Sequence, residues 1–228
     1  TYGFDKHSNY QITNLRKNRI FSTFDLKLRS LSSKTDRINN IVVNLIGDHN
    51  VTNTTAAIAI AINLGIKVSK IKKALKKFLG IQRRFTKVFS IGKREFYDDY
   101  AHHPTEIKAV IKAAREVHKV RKIICVFQPH RYSRIKSLKN EFASSFKLSN
   151  EVLLCPVYSA GEKMKYNFNQ DYFSQLIAKK SKTQVVNIKD KEELKNYFKK
   201  NLLEDEMVIC MGAGSISSWI REIGNESK

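Results

Sequence analysis

The sequence lacks the features that would place it in a membrane or an oxidising compartment. No stretch approaches the roughly 20 consecutive apolar residues that a membrane-spanning helix needs. The first ten residues lack the charged-then-apolar order of a secretion signal. There are only three cysteines, Cys125, Cys155 and Cys210, and each lies inside an apolar, strand-like run. We therefore predict buried free thiols in a cytoplasmic protein that has no membrane partner.

Several common catalytic patterns are also missing. The chain contains no G-x-x-x-x-G-K-[ST] phosphate loop, no serine nucleophile elbow and no Cys–His spacing of the kind that holds zinc. We accordingly predict no metal site from these residues. The chain does not begin with Met, and we expect its numbering to start inside a longer protein.

Acidic residues are half as frequent as basic ones, with 21 Asp and Glu against 42 Lys and Arg and a formal net charge of +21. Such a charge is found in proteins that bind nucleic acids or membrane surfaces. Here the lysines occur in pairs such as Lys72-Lys73 and Lys179-Lys180, on the polar sides of periodic helices, without interleaved aromatic residues that stack on bases. We interpret them as solvated helix faces and predict no specific nucleic-acid partner, although their field would favour anionic substrates.

The first 80 residues read as the end of a mixed α/β domain. Strand-like alternation extends from Asn9 to about Ile46, and the polar stretch Ser30–Asn40 reads as a hairpin loop. Two helices are predicted after it, over Asn50–Leu64 and Ser69–Phe78, the second starting on a serine cap.

From residue 81 to residue 228, apolar strands and periodic helices alternate five times. This pattern predicts a Rossmann-like domain whose mainly parallel sheet is covered on both faces. The fold class is therefore α/β, a Rossmann-like domain preceded by the C-terminal part of a mixed α/β domain. The predicted elements are a helix starting at Pro104, strand Ile123–Phe127, helix Ile135–Leu148, strand Val152–Pro156, helix Asp171–Lys180, strand Gln184–Ile188, helix Lys191–Leu202, strand Met207–Met211 and helix Ser215–Ile223.

Two short segments, Asp98–Glu106 and Gln128–Arg134, concentrate ionisable groups where a strand pattern gives way to a helical one. In open α/β sheets, ligands bind at the carboxyl ends of the strands. We expect the two loops to lie side by side on neighbouring strands and to form a crevice for small anions. Only one of Asp98 and Asp99 should face this crevice, because successive strand residues point to opposite faces.

Three further motifs each allow two interpretations. Asn50 and Asn53 are three apart and could present their amides to a nucleobase edge, or Asn50 could simply cap the helix. Arg83-Arg84 could hold a phosphate or be solvated. The segment Gly212–Ser215 could begin a phosphate loop or allow tight packing between a strand and a helix.

Together these segments resemble the Mur ligases, ATP-dependent enzymes of peptidoglycan synthesis and hence of the cell wall. The two long motifs point to the member that adds alanine. The matching stretches occur in the family's order and approximate spacing: Gly47–Asn53, Arg83–Phe85, Asp98–Glu106, Gln128–Arg134, Val157–Glu162 and Met211–Gly214.

The resemblance implies an enzyme of three domains that bind a UDP-sugar, ATP and the incoming amino acid in turn. Residues 1–80 correspond to the end of the central, ATP-binding domain, and residues 81–228 to the C-terminal domain. The family's phosphate loop and Mg²⁺ ligands belong to a part that this sequence does not contain. We therefore expect ATP and Mg²⁺ to be required and the chain to be inactive alone.

The implied reaction joins L-alanine to the carboxylate of UDP-N-acetylmuramate through an acyl phosphate. Carried over by motif, the ATP-binding residues are His49, Asn50 and Asn53 at the adenine, Arg84 at the γ-phosphate and Asp99 at the ribose. The residues expected around the alanine and the reacting carboxylate are Tyr100, His102, His130, Arg131 and Arg134, of which His130, Arg131 and Arg134 are the catalytic candidates.

Two alternatives stay open. The related recycling ligase attaches a whole peptide to the same sugar and differs in its substrate pocket. From a different class, the chain could be a non-catalytic module that binds anions or nucleic acid through its charge of +21. That module would lose orders of magnitude in affinity for random DNA or RNA between about 50 and 200 mM salt.

Overall fold

A computed structural model describes residues 1–18, 20–29, 36–78, 80–117, 122–163 and 168–226. The chain divides into two compact units, Thr1–Ile81 and Gln82–Lys228. None of the helices in the described part of the chain is long and apolar enough to cross a membrane.

Unit 1 is a four-stranded sheet with two helices. The strands lie in the order β1-β2-β3-β4, with β1 parallel to β2 and the others antiparallel. Alternate strand residues such as Phe24 and Leu26 are buried with Val51 and Ile58 in one core. The elements are β1 Tyr2–Gly3, β2 Tyr10–Lys17, β3 Ser22–Leu28, β4 Arg37–Val43, α1 Asp48–Asn63 and α2 Val68–Lys77.

Three local predictions for unit 1 were wrong. Helix α2 begins at Val68, and its N-cap residue is Lys67, which makes no side-chain capping hydrogen bond; Ser69 therefore does not cap this helix. The N-cap residue of α1 is Gly47, so Asn50 does not cap that helix either. Strand β4 begins inside the stretch predicted as a loop, because Ile38 pairs with Leu26 of β3 and buries its side chain. Residues 30–35 of that stretch lie outside the described residues.

Unit 2 has a six-stranded sheet in the order β5-β6-β10-β7-β8-β9. Strand β5 is antiparallel to β6, and all the other pairs are parallel. The elements are β5 Thr86–Ile91, β6 Arg94–Asp99, α3 Pro104–Val117, β7 Ile123–Phe127, α4 Tyr132–Ala143, β8 Glu151–Leu154, α5 Gln170–Ser181, β9 Gln184–Asn187, α6 Lys191–Asn201, β10 Met207–Met211 and α7 Ile216–Glu226.

Helices cover both faces of this sheet. Cys125 and Phe127 of β7 pack in one apolar cluster with residues of α3, α4 and α5. Ile124 and Val126 of the same strand pack in a second cluster with residues of α6 and α7. Because successive strand residues point to opposite faces, the two clusters lie on opposite sides of the sheet. The predicted α/β class, with a mainly parallel sheet covered on both faces, is confirmed.

The order of the strands corrects one expectation. Strands β6 and β7, which carry the two ionisable segments, are not neighbours, since β10 lies between them and pairs with both. The antiparallel strand β5 was not predicted, and α4 begins at Tyr132 rather than Ile135. The three cysteines are buried free thiols, as predicted.

Candidate active site at the carboxyl ends of the parallel strands

The two aspartates that end β6 are both buried and serve opposite sides of the sheet. Asp98 accepts a hydrogen bond of 2.6 Å from the Ser217 hydroxyl and one of 2.9 Å from Arg221, both on α7. Asp99 accepts backbone N–H groups of Phe85 at 2.7 Å and Ala101 at 2.8 Å. Alternation along the strand therefore separates the two carboxylates, as the sequence predicted.

Asp99 holds the loop that follows β6 in place. Its side chain is only 2% exposed, and burial raises the pKa of its carboxyl to about 6, against the lowering effect of its two backbone donors. Both carboxylate oxygens are used inside the protein, so the geometry supports a positioning role. Contact with a ribose stays a prediction.

The two arginines before β5 occupy different environments. Arg83 has a positive φ of 61°, donates to the Gly212 carbonyl at 2.6 Å and places its guanidinium 4.8 Å from the centre of the Tyr100 ring. Arg84 is exposed, with its guanidinium 5.9 Å from the same ring. Arg83 is thus part of the loop framework, whereas Arg84 can reach a ligand, as its predicted role requires.

A continuous row of rings crosses this end of the sheet. Tyr100 packs edge-on against His102 at 5.0 Å between ring centres, and His102 lies 5.6 Å from His130. His130 stacks on Tyr158 at 5.6 Å. The row joins the loops that follow β6, β7 and β8, so the structure brings together the two segments that the sequence singled out.

The loop after β10 makes this row possible, because it carries no bulky side chain where the row crosses it. A Cβ on Gly214 would overlap the Tyr158 ring and lie 2.6 Å from Gln128 Oε1, and a Cβ on Gly212 would lie 2.9 Å from the Gln128 carbonyl. The Gln128 side chain bonds Ser215 and the backbone N–H of Ile216, at the start of α7. The geometry therefore favours tight packing as the reason for these glycines.

The loop after β7 is shaped by contacts with the loop after β8. Arg131 has a positive φ of 69°, and its backbone N–H donates to the Tyr158 carbonyl at 2.9 Å. Its guanidinium lies 3.8 Å from the carboxylate of Glu162, which also accepts the backbone N–H and hydroxyl of Ser133. Glu162 therefore satisfies a free N–H group in the first turn of α4.

A cationic group lies within contact distance of the central imidazole. Arg134 Nη1 is 3.3 Å from His130 Nδ1. Burial, followed by the charge of Arg134, lowers the pKa of His130 below its usual range. This end of the sheet thus combines guanidiniums with a neutral imidazole, which suits anionic groups that gain charge during a reaction.

Comparison with known proteins identifies the family. Residues 83–214, more than half of the chain, match the family model described as Mur ligase, glutamate ligase domain. The chain belongs to the Mur ligase family. The resemblance seen in the sequence is confirmed.

Individual relatives cover both units. The chain is 45% identical over 223 residues to UDP-N-acetylmuramate–L-alanine ligase of Pelagibacter ubique (strain HTCC1062), covering 98% of this chain and 48% of that protein. The crystal structure of UDP-N-acetylmuramate-alanine ligase MurC from Thermotoga maritima matches with a TM-score of 0.78 and 26% identity, covering 100% of this chain and 47% of that one. A murein peptide ligase from Psychrobacter arcticus, with a TM-score of 0.68 and 20% identity over 97% of this chain and 45% of that one, shares the fold. The chain spans about half the length of these relatives.

The three ATP-site candidates of unit 1 lie on the first turns of α1. Asn50 is 8% exposed, and its amide donates to the Ile46 carbonyl at 2.8 Å. Asn53 is exposed and His49 partly exposed. In this Mur ligase, Asn53 is therefore the more accessible of the two amides, and Asn50 fixes the turn that leads into the helix; contact of either amide with a base stays a prediction.

The structure adds residues that the reasoning from single motifs missed. Tyr158 completes the row of rings, Glu162 anchors Arg131, and Gln128 links the loop after β7 to α7. Tyr158 and Glu162 were part of a matching stretch but received no role. Their position just after a third parallel strand, β8, was the signal that could have found them.

Proposed function

We propose that this chain is part of an ATP-dependent ligase that joins L-alanine to the carboxylate of UDP-N-acetylmuramate, a step of peptidoglycan synthesis. The observation that carries the proposal is the row of rings and guanidiniums at the carboxyl ends of β6, β7 and β8. It accompanies 45% identity, along nearly the whole chain, to a protein named for this reaction. The carboxylate is activated as an acyl phosphate, which the amine of alanine then attacks.

The loops supply the groups that such a reaction needs. Arg131 is exposed and Arg134 lies beside His130, so both guanidiniums can meet a carboxylate or a developing oxyanion. Tyr100 and His102 line the same row and would contact the amino acid.

The charge and the exposure of individual side chains support the predicted ATP contacts. Arg84 is exposed and fits a phosphate, and Asn53 with His49 fits the adenine region. Within the described residues, no group of three or more His, Cys, Asp or Glu could hold a metal ion. We assign ATP contacts to this chain and expect the Mg²⁺ ligands in a part of the ligase that this sequence does not contain; Mg²⁺ would neutralise phosphate charge when bound.

Replacing Arg131 by Ala in the intact ligase that carries this chain tests the proposal. A charge-assisted hydrogen bond contributes about 1.5–3 kcal/mol, so the KM for L-alanine should rise about 10- to 150-fold. Phosphate release in the presence of UDP-N-acetylmuramate measures the rate. Lys147→Ala, at an exposed lysine just beyond α4, removes a positive charge elsewhere on unit 2 and should leave KM unchanged. An unchanged KM in Arg131→Ala would remove this role.

The same assay separates the alternatives. The alanine ligase uses L-alanine and not the tripeptide, whereas a recycling ligase shows the reverse preference. A protein that consumes neither but binds random RNA, with affinity collapsing between about 50 and 200 mM salt, would be the non-catalytic module.

A further inference from the structure

The two imidazoles at the centre of the row are held in opposite tautomers by their neighbours. His102 Nδ1 lies 2.9 Å from the Tyr100 carbonyl oxygen and 3.6 Å from a Glu106 carboxylate oxygen. Both neighbours are acceptors, so the hydrogen of a neutral His102 ring is on Nδ1. Its Nε2 therefore carries a lone pair.

His130 has the reverse arrangement. The neighbour of its Nδ1, at 3.3 Å, is Arg134, and a guanidinium can only donate. Nδ1 must therefore carry the lone pair, and the hydrogen of the neutral ring is on Nε2. Burial and the adjacent guanidinium lower the pKa of His130, which favours the neutral ring.

The unused edges of the two rings are complementary. Among the described residues, neither Nε2 atom has a hydrogen-bond partner, and the ring centres are 5.6 Å apart. One edge accepts a hydrogen bond and the other donates one. A small molecule with an N–H group next to an oxygen that gains negative charge would satisfy both.

We propose, on the basis of the function proposed above, that His102 is the general base of the ligation and His130 the donor that stabilises the tetrahedral oxyanion. His102 Nε2 removes one proton from the alanine ammonium, and the neutral amine attacks the carbonyl carbon of the acyl phosphate. His130 Nε2–H donates to the oxygen that becomes negative. When the tetrahedral centre collapses, the C–O bond to phosphate breaks, and phosphate leaves with the second amine proton while the amide keeps the third.

The surroundings of the rings fix which one can accept the proton. The groups around His102 are Tyr100, whose carbonyl holds Nδ1, the Glu106 carboxylate and the His130 ring. The Tyr100 carbonyl accepts from Nδ1–H, and the Glu106 carboxylate places a negative charge 3.6 Å from the same nitrogen. His130 faces Arg134, and Arg131 adds a second positive charge, so protonating it would place like charges together.

The same substitution at two adjacent histidines provides a sharp test in the intact ligase. His102→Gln removes the base and should lower kcat with L-alanine by about 10²–10⁴-fold. His103→Gln is the matched control, because the Nδ1 of His103 only accepts the Thr105 backbone N–H, and it should keep wild-type kcat. Hydroxylamine, a nucleophile that is already neutral at pH 7, needs no base and should react with His102→Gln at the wild-type rate.

Variants of His130 should behave differently. His130→Ala should slow alanine and hydroxylamine alike, by about 10²–10³-fold, because both reactions pass through the oxyanion. His130→Gln restores an N–H donor and should recover part of that loss. Acyl phosphate, trapped by borohydride reduction, should form normally in His102→Gln.

The outcomes separate the two proposals. If wild-type protein forms no acyl phosphate and does not use alanine, the proposed function fails. If wild type is active but His102→Gln slows both nucleophiles equally, or keeps wild-type activity with alanine, the division of roles between the two histidines is wrong.

Discussion

The buried carboxylate of Asp98 should stabilise unit 2 through α7. It is fully buried, whereas the side chain of its partner Arg221 is 42% exposed. Its second oxygen lies 3.9 Å from Arg83 Nε, too far for a hydrogen bond. The bond from Ser217 is therefore the contact whose loss matters most when Asp98 is replaced.

The expected cost follows from these contacts. A hydrogen bond to a charged group contributes about 1.5–3 kcal/mol, and a partly exposed ion pair such as that with Arg221 about 0.2–1 kcal/mol. Asp98→Ala should therefore lower the free energy of unfolding by about 2–4 kcal/mol. Asp98→Asn keeps an acceptor for Ser217 and should cost about half as much, because only the charge is lost.

Urea unfolding followed by tryptophan fluorescence measures this loss in the free energy of unfolding of unit 2. Trp219 is the single tryptophan and lies on α7, two residues after Ser217, so its signal reports unit 2. If the energy of Ser217 resides in its bond to Asp98, adding Ser217→Ala to Asp98→Ala should cost less than about 0.5 kcal/mol more. Asp98→Ala within 0.5 kcal/mol of wild type, or strictly additive costs, would refute this reasoning.

Two further predictions concern the same end of the sheet. Gly214→Ala should destabilise unit 2 by about 1–3 kcal/mol through overpacking, and by less in a Tyr158→Ala background that makes room for the methyl group, as measured by the same fluorescence assay. An equal cost in both backgrounds would show that Tyr158 is not the obstacle. The pKa of Asp99 is raised to about 6, so this group contributes stability to the folded protein that depends on pH. The contribution, about 3 kcal/mol, is fully present below the pKa of the unfolded chain, about 3.9, and is lost as pH rises through 6. A carboxyl carbon-13 titration with a midpoint below about 4.5 would contradict this.

The predicted strands Ile123–Phe127 and Met207–Met211 agree with the structure to the residue. Both are short, continuous apolar runs, and both are buried on the two faces of the sheet, so no alternation or helical period obscures their ends. Boundaries set by contacts distant in sequence were missed. Helix α4 begins three residues early because Glu162, nearly 30 positions later, accepts the backbone N–H of Ser133 in its first turn.

Most members of the row of rings were named from the sequence, but the way they meet could not be predicted. Motif matching named Tyr100, His102, His130 and Arg134, and all four join one row or contact it. The insertion of β10 between β6 and β7 depends on pairing across more than 80 residues, which no local pattern records. The tautomers of His102 and His130 likewise follow from which atoms face each Nδ1, and no local sequence pattern records those contacts.

Strand β10, which lies between β6 and β7, explains why the row depends on the matched positions of His102 and His130 and on the glycines of the loop after β10. Neighbouring strands lie about 4.8 Å apart, so the ends of β6 and β7 are separated by roughly 10 Å. His102 and His130 each come three residues after the end of their strand, which brings them to the same height above the sheet. Their ring centres lie 5.6 Å apart, and in the loop after β10 a Cβ on Gly212 or Gly214 would meet Gln128 or Tyr158, the ring that stacks on His130. A side chain on that loop would therefore disturb the row without touching either histidine.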